Sequence, residues 1–558
     1  MPVTVANHSI DEPRPLKVIT VGAGISGILA GIRLPQRVKN LVLTIYDKNP
    51  EFSGTWYENR YPGVACDIPA HSYQLSFEPN PQWSQFYATG AELFRYWKGI
   101  ALKYGVDKYA KLSHKVLEAR YDEAKNIWSV KVQNLITNEI FIDTCDIFYV
   151  AVGTLNDWKW PDIKGLKDFR GQLLHSAAWD ESFDPTGKSV AVIGAGSSAI
   201  QIVPAIQPKV MNLDNYVRGK TWICPPILQE EVDKHNADVN FEFTTEEINL
   251  FMTDKDHFLK YRKAIEDEIQ SGHSSTFIGK DSDTAALIFA ALMQKKLAKR
   301  PEIFKSLLPD FPPICRRLTP GPGYLNALVQ DNVNFITTGI DHISETGIVT
   351  VDGQLREADA IVCATGFNTT FTGRFPIYGR NGVCLNDRWQ GYPETYISLA
   401  VDGFPNMFVA FGPNAAVGTG SLSMMLEKVC DYVSFAIQKI SNEYISVMEV
   451  KSDSVKNFVE FCKQYFQKTV FTQPCQSWYK GGTKDGPVIA LWPGSSLHSI
   501  HVFDHPRWED YDYKYVNDNP FEWFGNGWSN IEKEEGTDRS YYLNPNIVDF
   551  PPVPGKSI

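Results

Sequence analysis

The chain of 558 residues is several times longer than an average domain, so its length alone predicts two or more hydrophobic cores. Hydrophobic residues make up 43% and charged residues 21%, which is typical of a globular protein, and the aromatic share of 13% is high. The formal net charge is −11 and no run of lysine or arginine stands out, so the sequence argues against nucleic acid and anionic membranes as partners.

Nine cysteines are scattered singly along the chain. Their number is odd, and none forms a C-x-x-C pair or a metal-binding spacing, which predicts a reducing compartment and no metal site. The N-terminal segment lacks the basic and apolar regions of a signal peptide, and no run approaches the ~20 apolar residues of a membrane span. We therefore expect a cytoplasmic protein without a membrane span.

The first predicted strand runs directly into a glycine-rich turn, in KVITVGAGISGILAGIRL. Gly22, Gly24 and Gly27 permit a tight turn and a close approach of the backbone to a ligand, and the helix that follows offers unpaired N–H groups to a pyrophosphate. A second strand, LVLTIYD, ends in Asp47, where a carboxylate can accept hydrogen bonds from ribose hydroxyls. This unit predicts a site for FAD or NAD, and the alternative is an ordinary glycine turn.

Two longer motifs lie between this turn and a second glycine turn. GTWYENRYPGVACD spans residues 54–67, and FRGQLLHSAAWD spans residues 169–180. In a purely local interpretation, their tryptophans and tyrosines are core aromatics, and His175 is a hydrogen-bonded structural histidine. The motifs alone therefore leave a structural and a functional interpretation open.

The second glycine turn, in SVAVIGAGSSAIQIVP, repeats the pattern at Gly194 and Gly196, with Ala199 at the third position. The next strand differs from its counterpart, because DNYVRGK carries Arg218 and Lys220 where the first unit has an aspartate. These cations can pair with the 2′-phosphate of NADP, and the alternative is that Arg218 is a solvated charge. Two dinucleotide sites predict hydride transfer to a flavin. Without a C-x-x-C pair, dioxygen or an organic molecule remains as the next acceptor.

Helical spacing replaces the glycine turns over residues 228–308. TTEE at Thr244 predicts a capped helix start, and apolar residues recur from Phe258 to Ile269. SDTAALIFAALMQKKLAKRP predicts a further helix with a Ser/Asp cap and a basic C-terminus. After about residue 493 the chain is rich in aromatic residues and has no clear periodicity, so we expect this tail to wrap a surface.

In these motifs the sequence resembles the flavin-dependent Baeyer–Villiger monooxygenases, which carry FAD and NADP sites on one chain. Residues 169–180 fit the family's F-x-G-x-x-x-H-x-x-x-W-(P/D) fingerprint, and residues 54–67 fit its G-x-W-x-x-x-x-(F/Y)-P-G-x-x-x-D signature. CATGF, at residues 363–367, resembles a family strand that ends near the flavin. The resemblance implies an α/β fold of two Rossmann-like dinucleotide-binding domains, for FAD and for NADP, with a helical insertion in the NADP domain.

The resemblance also implies roles for single residues. In CRRLTPGPGYL, Arg317 takes the position of the active-site arginine, and Asp67 that of the carboxylate that holds it. Arg316 stands where the family usually has lysine, and Trp478 resembles the tryptophan that reaches the nicotinamide nucleotide. A surface arginine and a solvated aspartate are the local alternatives. The expected cofactor-binding residues are Gly22, Gly24, Gly27, Asp47, Gly54, Thr55, Trp56, Asp67, Tyr73, Gly194, Gly196, Ser197, Ser198, Arg218, Lys220, Arg316 and Trp478.

The implied reaction converts a hydrophobic ketone to an ester or lactone with NADPH and dioxygen, through a C4a-peroxyflavin and a peroxy-hemiketal. His175 is expected to couple the linker to cofactor binding, and the protein to act as a monomer. The alternatives are an N- or S-oxygenating flavin monooxygenase and a non-catalytic protein that binds FAD and NADP(H). The expected domains are the FAD domain (1–150 and 368–558, with the tail), the NADP domain (151–227 and 309–367) and the helical insertion (228–308).

Overall fold

The structure is a computed structural model that describes residues 3–372, 374–517, 519 and 521–549. Residues 550–558 of the predicted tail lie outside the described residues. The strands are β1 Leu16–Val21, β2 Leu41–Tyr46, β3 Ala110–Lys111, β4 His114–Asp122, β5 Ile127–Asn134, β6 Ile140–Cys145, β7 Ile147–Val150, β8 Gln172–His175, β9 Ser189–Ile193, β10 Asn212–Tyr216, β11 Val333–Ile336, β12 Ile340–Ile343, β13 Gly347–Thr350, β14 Leu355–Glu357, β15 Ala360–Cys363, β16 Ile377–Tyr378, β17 Met407–Val409, β18 Ile445–Val450 and β19 Tyr511–Tyr515.

The α-helices alternate with the strands in both nucleotide-type units and follow one another without strands in the middle of the chain. They are α1 Ile25–Arg37, α2 Thr55–Glu58, α3 Gly90–Lys103, α4 Ser197–Ile206, α5 Gln229–Lys234, α6 Thr245–Thr253, α7 Lys255–Ser271, α8 Lys280–Lys296, α9 Pro301–Leu307, α10 Tyr324–Leu328, α11 Leu385–Arg388, α12 Leu422–Asn442, α13 Ser452–Phe466, α14 Ser496–Asp504 and α15 Asn530–Lys533. This alternation is typical of parallel sheets with crossover helices.

The first sheet has the strand order β17-β7-β1-β2-β3, and every neighbouring pair is parallel. All four residues of β7 are buried, because helices α1 and α12 cover one face of the sheet and strands β4 and β5 pack against the other. Residues of α1 and α12, among them Leu29 and Val433, pack in the same core as β1. The sheet therefore combines the beginning of the chain with a strand that comes more than 250 residues after β7 in the sequence.

The second sheet has the order β11-β10-β9-β15-β8 and is also parallel throughout. Its glycine turn has the same environment as the first. Gly22 has φ +109°, and a Cβ on it would lie 2.3 Å from the carbonyl oxygen of Ala151, just after β7; Gly194 has φ +134°, and its Cβ would lie 2.4 Å from that of Ala364, just after β15. The predicted α/β fold with two Rossmann-like units is confirmed.

Helices α5 to α9 lie between β10 and β11 of the second sheet. The predicted capping box at Thr244 is confirmed, since Thr244 and Glu247 exchange hydrogen bonds at the start of α6. The predicted Ser/Asp cap of α8 is wrong, because this helix begins at Lys280. The Ser282 hydroxyl lies inside the first turn and bonds to both backbone groups of Gly279, at 3.3 and 2.8 Å. The domain boundaries assigned from the sequence stay predictions.

The tail has more regular structure than the sequence indicated. Helix α14 follows Pro493, and β19 pairs with β18 in an antiparallel ribbon. The segment YDYKY of β19 alternates less and more exposed side chains, and this period of two is a strand signal that the aromatic composition obscured. In the part of the chain that the structure describes, no helix combines the length and the apolar character needed to cross a membrane.

Candidate functional site

Asp47 holds the first glycine turn in place. It follows β2 and is 8% exposed, and its two carboxylate oxygens accept hydrogen bonds from the backbone N–H groups of Ala23, at 2.6 Å, and Asn49, at 2.7 Å. Burial raises the pKa of Asp47. The contact with ribose stays a prediction, whereas the structure shows this carboxylate fixing the turn that precedes α1.

The starts of α1 and α4 leave room for a ligand. Their N-cap residues are Gly24 and Gly196, and neither has a side-chain cap. A Cβ on Gly24 would lie 3.6 Å from the Cα atom of Gly54, and one on Gly196 would meet nothing within 4 Å. The first N–H groups of both helices are therefore available to an anion, and the residues present fit two dinucleotide pyrophosphates.

The other residues predicted at these two sites lie beside the glycine turns. Thr55 is exposed at the first position of α2, and Trp56 contacts Tyr73 edge to face with ring centroids 5.7 Å apart. Ser197 and Ser198 are the first two residues of α4, and the Ser197 hydroxyl lies 3.2 Å from that of Thr319. The cofactor contacts of these residues remain predictions.

The structure brings Arg316 to the segment that follows β10. Arg316 donates from Nη1 to the carbonyl oxygen of Lys220 at 2.9 Å, and its guanidinium stacks 4.7 Å from the ring centroid of Phe311. The Lys220 ammonium lies 3.3 Å from the carboxylate of Asp310, and Arg218 is exposed. The residue at the predicted lysine position is therefore next to Lys220, and the shared contact of the three cations with a 2′-phosphate stays a prediction.

His175, in the fingerprint, joins the linker to the second sheet. It ends β8, is fully buried, and stacks on Trp158 with ring centroids 4.4 Å apart. Its Nδ1 accepts a hydrogen bond from the N–H of Ala177 at 3.1 Å, and its Nε2 lies 3.4 Å from the hydroxyl of Thr365, after β15. The first unit, the linker and the turn after β15 together line a cavity of about 150 Å³, formed by Lys48, Glu58, Asn59, Asn156, Trp158, Ala177 and Phe367.

The environment of His175 predicts a pH dependence of stability. Burial lowers the pKa of His175 to about 4, whereas an unfolded histidine titrates near ~6.5. As the pH falls, the unfolded chain therefore binds a proton at this histidine before the folded protein does. The contribution of neutral His175 to the free energy of unfolding is complete above about pH 6.5 and is lost as the pH falls towards 4. His175→Asn keeps an acceptor near Nδ1 and should show a smaller fall of the thermal midpoint between pH 7 and pH 5 than the wild type.

A control variant makes this measurement specific. His257→Asn changes an exposed histidine of α7 and should leave the pH dependence of the wild type in place. Equal pH dependence in His175→Asn and the wild type would contradict the assignment of the effect to His175. Differential scanning fluorimetry of the three proteins at several pH values gives the comparison.

The second signature connects the two nucleotide units. The Tyr61 hydroxyl donates to Oε1 of Gln201, on α4, at 2.8 Å, and the Gln201 amide donates to the carbonyl oxygen of Ala65 at 2.9 Å. Gly63 has φ +80°, and a Cβ on it would lie 2.5 Å from the carbonyl oxygen of Gln201. This Tyr-Pro-Gly segment is therefore a packing surface between the units, a role that the sequence interpretation missed.

The last residue of this signature, Asp67, forms a forked ion pair with Arg317. Nε of Arg317 donates to Oδ2 of Asp67 at 3.0 Å, and Nη2 donates to Oδ1 at 2.7 Å. The side chain of Arg317 is 34% exposed and that of Asp67 is 19% exposed. The attraction of Asp67 raises the pKa of Arg317 above its usual value. The pair keeps a permanent, planar cation in a fixed orientation.

Tyr479 is a neighbour of this pair that the sequence interpretation missed. It is 1% exposed and lies near the Arg317 guanidinium. Burial raises the pKa of Tyr479 to about 12, and the cation opposes this shift. Trp478 precedes it in a short 3₁₀ turn and is partly exposed, so the predicted nucleotide contact of Trp478 would arise from the turn that carries Tyr479.

Two of the nine cysteines are paired in the structure. Cys315 and Cys475, 160 residues apart, form a disulfide, and the other seven cysteines are free. Spacing rules could not find this pair, because the two residues meet only when distant segments fold together. The pair lies directly before Arg316 in one segment and shortly before Trp478 in the other.

Comparisons with known proteins identify the family. Residues 20–89 match the model of an NAD(P)-binding Rossmann-like domain. The FAD-binding monooxygenase tazF of Aspergillus terreus is 38% identical over 95% of this chain and 95% of its own length. This chain belongs to the FAD-binding monooxygenases. Another such monooxygenase, moxY of Dothistroma septosporum, is 33% identical over 96% of this chain and 86% of its own.

Solved structures show which FAD-binding monooxygenases share this fold. An oxidised steroid monooxygenase bound to NADP has a TM-score of 0.77 and 25% identity, and covers 90% of this chain with 100% of its own. A cyclohexanone monooxygenase from a Rhodococcus species, bound to NADP⁺, has a TM-score of 0.78 at the same identity and coverage. The predicted resemblance to the Baeyer–Villiger family is confirmed, and FAD and NADP(H) are the cofactors of this monooxygenase.

Proposed function

We propose that this monooxygenase converts a hydrophobic ketone to an ester or lactone with NADPH and dioxygen. The observation that carries the proposal is the forked Asp67–Arg317 pair, with donor–acceptor distances of 3.0 and 2.7 Å. The pair joins the signature that packs between the two nucleotide units to the segment that also carries Arg316. A permanent cation at this junction suits a reaction in which negative charge develops on an oxygen atom.

FAD, when bound and reduced by NADPH, supplies the activated dioxygen for the reaction. Arg317 binds the carbonyl oxygen of the ketone and stabilises the charge that develops there as the carbonyl carbon becomes tetrahedral. Asp67 orients the guanidinium through both of its carboxylate oxygens. Tyr479 lies near the guanidinium and is almost fully buried, so it helps to exclude water from that side.

The second glycine turn and the cations after β10 bind NADP(H). The start of α4 binds the pyrophosphate, and Arg218, Lys220 and Arg316 bind the 2′-phosphate. His175 and Trp158 hold the linker against the turn after β15, next to that site. Trp478 contacts the nucleotide from the turn that carries Tyr479.

Product analysis with labelled oxygen tests the proposed reaction. Purified FAD-bound protein is incubated with NADPH, ¹⁸O₂ and a mixture of an acyclic ketone, a cyclic ketone and a thioether. An ester or lactone with one labelled oxygen supports the proposal, and its identity reports on the substrate pocket. Sulfoxide as the sole oxygenated product would instead favour heteroatom oxygenation, and would contradict the proposal.

We expect Arg218 to be the source of a preference for NADPH over NADH, because NADH lacks the 2′-phosphate. Arg218→Ala should raise the KM for NADPH about 10- to 100-fold and leave the KM for NADH unchanged, because a charge-assisted hydrogen bond to phosphate contributes ~1.5–3 kcal/mol. Rates of flavin reduction at varied nucleotide concentration give both values. Arg170→Ala is the matched control, since Arg170 is an exposed arginine of the linker that pairs with Glu345 at 2.8 Å. A KM that rises equally for both nucleotides would show that Arg218 does not bind the 2′-phosphate.

A further inference from the structure

Cys315 and Cys475 are placed for a disulfide by the fold itself. Their Cα atoms are 6.5 Å apart, within the range of ~4.4–6.8 Å that is usual for disulfides. Cys315 is fully buried and Cys475 is 2% exposed. The sulfur atoms are therefore shielded from solvent, and from any oxidant or reductant, for as long as the two segments that carry them remain in contact.

Each of these segments carries a residue of the proposed site. We call residues 312–319 the arginine segment, since it contains Arg317, and residues 473–487 the tryptophan loop, since it contains Trp478. The tryptophan loop has no strand or α-helix, only one short 3₁₀ turn. Backbone hydrogen bonds within the loop, such as those from the N–H groups of Gly482 and Thr483, fix its own shape, so its position on the arginine segment depends on the contacts between the two segments.

Non-covalent packing also joins the two segments. Tyr479, on the loop, is 1% exposed and lies in one hydrophobic core with Ile314 of the arginine segment. Lys480 is 2% exposed, and its ammonium donates to the carbonyl oxygens of Gln473, at 2.8 Å, and Lys484, both on the loop. The disulfide thus adds a covalent link to two segments that otherwise touch through side-chain packing.

We propose that Cys315 and Cys475 form a redox latch on the NADP site. In the disulfide form the tryptophan loop is held on the arginine segment whether or not a nucleotide is bound. In the dithiol form only non-covalent contacts hold the loop, so it lifts more often, and the contact of Trp478 with a bound nucleotide favours the closed position. The latch therefore controls how fast the nucleotide enters and leaves.

The oxidant that the latch takes is hydrogen peroxide. One thiolate attacks the peroxide, which breaks the O–O bond and yields a sulfenic acid and a hydroxide; the hydroxide takes up the proton that the thiol released and becomes water. The second thiolate then attacks the sulfenic sulfur, so the S–S bond forms and the hydroxide that leaves takes up the second thiol proton to become a second water. Two thiols and one hydrogen peroxide thus give one disulfide and two waters, and a small dithiol reductant reverses the change. Because both sulfur atoms are buried, the oxidation takes place while the loop is lifted, whereas the reduction requires a transient opening of the segments around the disulfide.

The test compares two redox states of the full-length FAD-bound protein. One sample is reduced with a phosphine reductant and the other is oxidised with hydrogen peroxide, and both are alkylated, digested and analysed by mass spectrometry. We expect a linked Cys315–Cys475 peptide in the oxidised sample alone. We also expect NADP⁺ to leave the oxidised protein at least about 10-fold more slowly in stopped-flow measurements, and trypsin to cleave it more slowly at Lys484.

Two variants make the test specific. Cys475→Ser should release NADP⁺ at the rate of the reduced protein after either treatment, and Cys384→Ser, which removes a free and partly exposed cysteine, should behave as the wild type. If Cys475→Ser does not fold, the two wild-type samples still decide the matter. A linked peptide with unchanged NADP⁺ release, or no linked peptide after peroxide treatment, would overturn the proposal.

The latch rests on the proposed contact of Trp478 with the nucleotide and is independent of ketone oxygenation. Ester formation is therefore assayed separately on the same two samples. Redox-dependent NADP⁺ release without any ester would contradict the proposed reaction and support the latch. Ester formation with identical NADP⁺ release in both samples would support the proposed reaction and contradict the latch.

Discussion

Arg317→Ala is expected to lower kcat for ester formation by at least about 100- to 1,000-fold, while FAD stays bound and NADPH still reduces it. Alanine removes the permanent cation that the two hydrogen bonds to Asp67 hold in place. Without it, the charge that develops on the substrate oxygen has no partner at this position. Product formation is measured by mass spectrometry, and flavin reduction is followed by absorbance without oxygen.

Further variants separate a loss of catalysis from a loss of stability. Arg317→Ala leaves the largely buried carboxylate of Asp67 without its partner, which destabilises the fold. The double variant Asp67→Asn with Arg317→Ala removes that unpaired charge, so it should regain thermal stability without regaining ester formation. Arg317→Lys keeps the charge but loses the forked geometry, and should have intermediate activity. Ester formation by Arg317→Ala at the wild-type rate would show that the assignment is wrong.

Gly27→Ala is expected to prevent FAD binding and to destabilise the first unit by about 1–3 kcal/mol or more. A Cβ on Gly27 would lie 1.8 Å from the carbonyl oxygen of Gly22, which belongs to the backbone of the turn and cannot move aside as a side chain can. The turn would have to open, although Asp47 holds it through the N–H of Ala23. Flavin absorbance of the purified protein and the thermal midpoint of the apoprotein measure the two effects.

Two other glycine-to-alanine variants separate a steric clash within the turn from the general effect of an added methyl group. Gly24→Ala would make only an ordinary contact of 3.6 Å with Gly54, so the apoprotein should remain stable while FAD binding weakens, because the new methyl group lies where the pyrophosphate approaches. Gly99→Ala, on α3, meets nothing within 4 Å and should stabilise the protein by up to about 1 kcal/mol. FAD binding by Gly27→Ala that equals that of Gly99→Ala would contradict the steric argument.

The architecture was largely predictable because its signals are local. A β-branched strand, a glycine turn and a helix follow one another within about twenty residues, so Gly22 and Gly194 could be recognised without knowledge of the rest of the fold. Thr244 and Glu247 are likewise only three residues apart. The helix start was predicted wrongly at α8, where two capping signals lie close together. The sequence favoured Ser282 and Asp283 as the cap, whereas Gly279 is the N-cap residue in the structure.

The site was predictable only where a long motif fixed several residues at once. Resemblance to the family assigned Asp67 and Arg317 as partners, and the structure brings them together across 250 residues. The packing of Gly63 on α4 and the Cys315–Cys475 pair have no counterpart in a local pattern, because each depends on the register between segments distant in sequence. Side-chain spacing along one segment carries no information about that register.

The split first sheet has a consequence for the order in which the protein is made. Strand β7 is complete early, but its neighbour β17 emerges only after the whole second sheet has been synthesised. At ~5–20 residues per second this interval lasts tens of seconds. During it the second unit can fold while one edge of the first sheet remains open. A nascent chain at that stage exposes an apolar strand edge to its neighbours on the polysome, which makes it a substrate for chaperones.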